Sequence, residues 1–408
     1  MIILGIVTLY LTNRILEERT DNQSRFLSLV FLSLLLGSTL LEGNSVNSEV
    51  VFIAFNLGAF FLLLTKRNYW LVGFLGFLSF VTKVPGFVEF CLFLFVFLIL
   101  YLREDGVRKL IPIVSKIAAG FLLPHVVLLV YFYLNSALTD YVYSNFVFNA
   151  IYSLHEGNFT TLFGLEIPNT LLKMFSLVFV FVVGLYLNIR GKLSRFSFLV
   201  SVLFTSQLFA SLLSGKNYGH YFIQVLPGLT LALGLMLKKQ KEGMGFYQTR
   251  YVLGLLVLLM PMLFVLKSVG RIPVYASPLS YYPAFVKEYV LDDSSADFWW
   301  RDGEGVGKTK RLTSHLNTNY PDYEGVYIYT DKPWVIALTD REIANKYVTW
   351  FHLDYREQHY DDEEKNILST DLLVVDRDVK LIESVSQTLR DHFERIGVFD
   401  SFDVYRRI

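Results

Sequence analysis

Ten apolar runs occupy the first 270 residues, and nothing else in the chain limits its fold as tightly. They lie near 1–12, 26–42, 47–65, 69–82, 84–102, 111–134, 171–189, 196–213, 219–237 and 250–267. Several reach the ~20 residues a helix needs to cross a bilayer core. Runs such as FVEFCLFLFVFLILYL (87–102) are apolar on every face, which suits lipid or the inside of a helix bundle rather than a wetted surface. The pattern predicts a polytopic α-helical membrane protein of about ten spans. Composition agrees, with 53% hydrophobic residues and only 18% charged, against about 25% charged in ordinary soluble domains.

The charges divide the chain. Residues 1–270 hold 20 Lys and Arg against 12 Asp and Glu, whereas residues 271–408 hold 17 against 25. Two environments follow, a membrane domain (1–270) and a polar domain (271–408). Basic residues near span ends stay cytoplasmic. Alternate loops carry Arg14, Arg19 and Arg25; Lys66 and Arg67; Arg103, Arg108 and Lys109; Arg190, Lys192 and Arg195; Lys238, Lys239, Lys241 and Arg250. The loops between them carry only Lys83 and Lys216. That bias places the second set of loops, and the domain 271–408, on the extracytoplasmic side of a cell membrane. It also starts the chain outside, at an apolar run only about 12 residues long, which is short for a span; the expectation is a missing N-terminal span and first outer loop. A single cysteine, Cys91, excludes an intrachain disulfide and is read as a packing residue.

Residues 271–408 alternate between strand-like runs, GVYIYTD (325–331), DLLVVDR (371–377) and FDVYRR (402–407), and a helix-like stretch, VKLIESVSQTLRDHFERIG (379–397), with Gly397 as its C-cap. A small α/β domain is expected. Its DGEGVGKTK (302–310) approaches the phosphate-loop pattern G-x-x-x-x-G-K-[ST], but Asp302 stands where the first glycine belongs and no apolar strand feeds it. It reads as a polar outer loop. HLDYREQHYDDEEK (352–365) lacks zinc or calcium spacing and reads as a solvated charged surface. No cofactor, metal or nucleic acid is expected.

Charged groups beside spans are costly and mark function by default. The outer turn LEGNSVNSE (41–49) gathers Glu42, Asn44, Asn47 and Glu49; Lys83 stands alone in FVTKVPGFVEF with Glu89 beyond it. The loop 135–170 sets Asp140, His155 and Glu156 among Tyr141, Tyr143, Phe146, Phe148 and Tyr152, an interfacial aromatic segment. SGKNYGHYFIQVLPG (214–228) carries Lys216, His220 and Gln224 at i, i+4 and i+8, one face of an α-helix, with Tyr221 beside them. Together they suggest an outward polar cavity with a cationic element, suited to a phosphorylated ligand.

The segment from LEGNSVNSE through the span holding Gly73, Gly76 and Lys83 resembles the span pair of multispanning C-type glycosyltransferases, the group that includes protein O-mannosyltransferases and lipid-A aminoarabinose transferases (glycosyltransferase family 39). NYGHYFIQVLPGLTLALG is similar to another of their spans, and YIYTDKPWVIALTDREIANKYV with DLLVVD and VYRR to their outer domain. The resemblance implies a cell-envelope enzyme that moves a sugar from a polyprenyl-phosphate donor to a glycan, lipid or protein acceptor on the outer face. It implies substrate contacts from Glu42, Asn44, Glu49, Lys83, Glu89, Lys216, His220, Tyr221 and Gln224. The family's catalytic aspartate lies in the first outer loop, which this sequence lacks, so no catalytic residue is carried over. Two alternatives stand beside it: a non-catalytic homologue that binds the lipid carrier, and a transporter of lipid-linked sugars.

Overall fold

The computed structural model describes residues 2–38, 41, 47–150, 159–162, 165–213, 219–238, 282–283, 286–291, 304–323, 325–332, 334–339, 341–345, 349 and 360–408. The apolar run 250–267 lies outside them. The chain divides into two compact units, Met1–Val274 and Tyr275–Ile408.

The first unit is almost entirely helical: α1 (Ile2–Glu17), α2 (Asn22–Leu36), α3 (Ser48–Leu64), α4 (Tyr69–Thr82), α5 (Val84–Asp105), α6 (Val107–Leu134) and the short α7 (Leu138–Val142). A hairpin of β1 (Phe159–Leu162) and β2 (Leu165–Pro168) follows, then α8 (Asn169–Ile189), α9 (Arg195–Ser211), a 3-10 turn (Gly219–Val225) and α10 (Leu226–Leu237). Among the described residues, three segments are long and apolar enough to cross a membrane: α5, α6 and the continuous stretch Gly219–Leu237. The apolar helices α2, α3, α4 and α9 are shorter, with 15, 17, 14 and 17 residues.

Packing sorts these helices by depth. Almost every residue of α9 is buried, so this helix forms the centre. It carries Ser201 and Thr205 there because their hydroxyls donate to the carbonyls one turn back, Ser197 O at 2.9 Å and Thr205 to Ser201 O at 2.7 Å. In contrast α6 and α8 turn Leu122, Val126, Val130, Phe175, Val178 and Val182 outward, a surface suited to hydrocarbon rather than water. Cys91, expected to pack inside, is on this outer surface as well.

Small residues set the closest helix contact. A Cβ built on Gly73 of α4 would run into the carbonyl oxygen of Ile117, and one on Gly120 of α6 into that of Trp70. The two backbones therefore touch only because both positions are glycine. Further along, Phe77 faces Phe121 and Phe80 faces His125, so α4 and α6 run parallel. Helix α5 runs antiparallel to both and packs beside them, with Phe87 opposite Phe80 and Phe121.

This alternation gathers the basic loops at one end. Arg19 lies over the Phe196 ring at 5.1 Å, Lys66 reaches Asp105 at 3.6 Å and the Tyr101 ring at 5.3 Å, and Arg195 pairs with Glu104. Lys83, at the far end of α4, marks the opposite end.

The second unit contains α11 (Glu304–Asn319), β3 (Gly325–Tyr329), α12 (Trp334–Leu338), β4 (Glu342–Ile343), α13 (Tyr360–Leu368), β5 (Leu372–Asp376), α14 (Glu383–His392), β6 (Phe393–Phe399) and β7 (Phe402–Arg407). The sheet order is β4-β3-β5-β7-β6, with β4, β3 and β5 parallel and β7 antiparallel to both β5 and β6. Alternate residues of β3 and β5 enter two cores. Val326, Ile328, Leu372 and Val374 join Leu312 and Leu316 of α11 on one face. Tyr327, Tyr329, Leu373 and Val375 join Ile367 of α13 and Leu389 of α14 on the other. Both faces are covered, which explains why these strands read as unbroken apolar runs.

Three expectations are corrected here. DGEGVGKTK is not a loop over its described part, because Glu304–Lys310 begins α11. The predicted helix 379–397 spans only Glu383–His392; Phe393 starts β6, which pairs with β7, and Gly397 sits at a register shift of that ladder instead of capping a helix. The charged stretch 352–365 is not wholly solvated: residues 352–359 are outside the described ones, but Glu363 is fully buried, accepting from Tyr327 Oη at 2.6 Å and Asn366 Nδ2 at 3.0 Å.

Candidate functional site

Lys83 occupies the only residue between α4 and α5, in extended backbone with φ −166° and ψ 134°. The cause is two residues on. Pro85 lacks an N–H, and in a continuous helix its ring would strike the carbonyl of Val81. The chain must break before it, and Pro85 is well tolerated in the first turn of the new helix. The break puts Lys83 at the corner of the α4–α5 hairpin.

From the first turn of α3, Glu49 meets it. The Lys83 ammonium donates to Glu49 Oε1, and Ser48 Oγ donates to Glu49 Oε2 at 3.1 Å. The Glu49 side chain is 2% exposed and that of Lys83 27%. From the 3-10 turn, the Tyr221 ring lies under the same ammonium, 4.3 Å from Nζ to the ring centre. His220 meets the Tyr221 ring edge to face at 4.7 Å. Three separate chain segments thus converge on one cation that remains partly open.

Glu89 and Gln224 are deeper and form a different group. Gln207 of α9 links them: its Nε2 donates to Glu89 Oε1 at 3.1 Å, its Oε1 accepts from Gly228 N at 2.8 Å, and its carbonyl accepts from Gln224 Nε2 at 2.8 Å. Gly228 lies in the first turn of α10, where backbone N–H groups have no partner within the helix, so Gln207 supplies one from outside. Neither Glu89 nor Gln224 reaches the surface.

The site therefore differs from expectation in specific ways. Lys83, the lone basic residue of its stretch, is paired with Glu49. Glu89 and Gln224 are buried and joined through Gln207, away from the partly open Lys83 corner. His220 and Gln224 do not share a face, because Gly219–Val225 is a 3-10 helix. At three residues per turn, positions four apart diverge by a third of a turn. Glu42, Asn44, Lys216, His155 and Glu156 lie outside the described residues. The aromatic segment is described in part. Tyr141 is buried, stacked on Phe132 at 4.6 Å and facing His125 at 6.2 Å.

The sequence reading missed Gln207 and Asn56, both fully or almost fully buried. A signal existed, since each is an isolated amide inside an apolar run, FTSQLFA and FIAFNLG. Among the described residues, no group of three His, Cys, Asp or Glu side chains is arranged to hold a metal.

No protein-family model matches the chain, and no curated protein or solved structure matches it either.

Proposed function

We propose that the chain is a multi-pass membrane glycosyltransferase that moves a sugar from a polyprenyl-phosphate donor to an acceptor on the outer face. The observation that carries this reading is the convergence of Glu49, Lys83 and Tyr221 at the end of the helical unit remote from its basic loops. Those loops face the cytoplasm on the charge rule. The Lys83 end then faces outward; the same charge rule, applied to the sequence, makes residues 271–408 extracytoplasmic.

In this reading a donor phosphate oxygen takes one of the three ammonium hydrogens of Lys83 while Glu49 keeps another. Tyr221 and His220 border the sugar. The bond from the sugar C1 to the phosphate oxygen breaks, the acceptor oxygen bonds to C1, and the acceptor proton passes to a base, a role to which no described residue is assigned. Lys83 stabilises the charge that develops on the departing polyprenyl phosphate.

Equilibrium binding of a labelled polyprenyl-phosphate hexose to the detergent-purified full chain tests the reading. We expect saturable binding, competed by unlabelled polyprenyl phosphate. Tyr221→Ala should weaken it by about 1 kcal/mol, the worth of a lost cation–π support. Binding that polyprenyl phosphate does not compete would sink the reading.

A further inference from the structure

In unit 2 the chain leaves two neighbouring parallel strands in opposite directions. After β3 it enters α12, whose Val335 packs with α11 on one face of the sheet. After β5 it enters α14, whose Val385 and Leu389 pack on the other face. Because β3 and β5 are paired in parallel, their carboxyl ends part side by side and leave a crevice between the outgoing connections. In open α/β sheets, this divergence is where ligands bind.

The crevice is polar and open. Asp376, Arg377 and Asp378 stand at the end of β5, and the turn from β6 to β7 brings Asp400 and Ser401 to the same end. Arg377, Asp378, Asp400 and Ser401 line a cleft of 460 Å³, within the range of small-molecule sites. Its walls are fixed by their own bonds. Arg377 donates to the carbonyls of Asp400 and Ser401, and Ser401 Oγ donates to the buried Asp376 at 3.1 Å. Arg311 holds Asp400 Oδ2 through two bonds, at 2.9 and 3.1 Å. Lys332, from the end of β3, lies 3.9 Å from Asp378. Arg377 and Asp378 nonetheless remain about half exposed.

Both signs of charge meet here, and that decides the ligand. A phosphate drawn to Arg377 would face Asp378 and Asp400 beside it. A metal cation would face Arg377 and Lys332, and among the described residues no three acidic groups are arranged around one. An apolar group would strip water from ionised side chains without replacing its hydrogen bonds. A hydroxyl can donate to a carboxylate and accept from a guanidinium, and a carboxylate that is already paired has further lone pairs to offer. We infer that this crevice of unit 2 binds a neutral, hydroxyl-rich ligand, a sugar residue of a glycan, with Asp378 and Arg377 as its main polar contacts. The inference concerns unit 2 alone and does not depend on the glycosyltransferase reading.

The test is saturation-transfer NMR of the full chain in lipid nanodiscs with methyl α-mannoside, methyl α-glucoside and methyl β-galactoside. At least one should bind saturably, with inorganic phosphate unable to displace it. Asp378→Asn, a half-exposed and nearly isosteric change, should raise half-saturation by about tenfold, the loss expected for one charge-assisted hydrogen bond. Hydrogen exchange of the wild-type chain, which needs no variant, should show sugar-dependent protection at 376–378 and 399–402. Three glycosides that fail to bind, displacement by phosphate, affinity indifferent to Asp378→Asn, or protection confined to other segments would each overturn the inference while leaving the Lys83 site untouched.

Discussion

Asp376→Ala should destabilise unit 2 by about 3–5 kcal/mol, the range for removing one partner of a buried ion pair. Asp376 ends β5, is fully buried, and has both oxygens committed. Thr330 Oγ1 and the Lys332 ammonium donate to Oδ2, the former at 3.0 Å, while Ser401 Oγ and Asp378 N donate to Oδ1, each at 3.1 Å. The residue thereby joins the ends of β3 and β5 to the β6–β7 turn. Its removal takes from Lys332, whose side chain is only 15% exposed, its buried partner and leaves it the half-exposed Asp331 at 3.3 Å.

The protonation of Lys332 supports the same view. Burial alone would lower its pKa, but the hydrogen bond and charge of Asp376, with help from Asp331, outweigh burial and hold it above the ordinary value of 10.5. A raised folded-state pKa gives stability that is complete below the unfolded value and is lost as pH climbs through the folded one. The pair therefore contributes fully at neutral pH. Hydrogen exchange of the full chain should show Leu372–Asp376 and Gly325–Tyr329 losing protection in Asp376→Ala. Unchanged protection would mean that the pair does not hold the sheet edge.

Lys83→Met is expected to lower turnover of a polyprenyl-phosphate sugar by about 10²–10³-fold, the effect of deleting one group that stabilises developing negative charge. The substitution also strands Glu49, so a fall in activity alone would be ambiguous. Lys83→Met combined with Glu49→Gln removes both charges together. If Lys83 acts on the phosphate, the double variant stays as inactive as the single one while recovering stability. Activity restored in the double variant would assign Lys83 a purely structural role.

Much of this architecture was legible because lipid exposure and full burial both leave continuous apolar signals. Nine of the ten apolar runs fall on described helices, and DLLVVD and FDVYRR mark strands β5 and β7 almost to the residue. The alternation of basic loops agrees with two contacts: Lys66 with Asp105 and Arg195 with Glu104 join loops assigned to one side.

What failed depended on partners distant in sequence. FERIGV continues the amphipathic spacing of α14, and only pairing with β7 makes it a strand. Glu363 looks solvated among its neighbours, yet Tyr327, 36 residues earlier, buries it. At the candidate site, Lys83, Glu49 and Tyr221 were each singled out from the sequence, but their joining was not. A lone lysine and a nearby glutamate 34 residues apart carry no signal of pairing. The helical face drawn through His220 and Gln224 failed because a 3-10 turn has another period.

The account turns on where the donor phosphate binds. A polyprenyl-phosphate hexose bearing a photoreactive group next to the phosphate can be crosslinked to the full chain in lipid nanodiscs and the adduct mapped by mass spectrometry. The account predicts label on the α4–α5 corner around Lys83 and on the Gly219–Val225 turn, suppressed by excess polyprenyl phosphate. Label confined to the basic loops at the opposite end, or insensitive to polyprenyl phosphate, would contradict it.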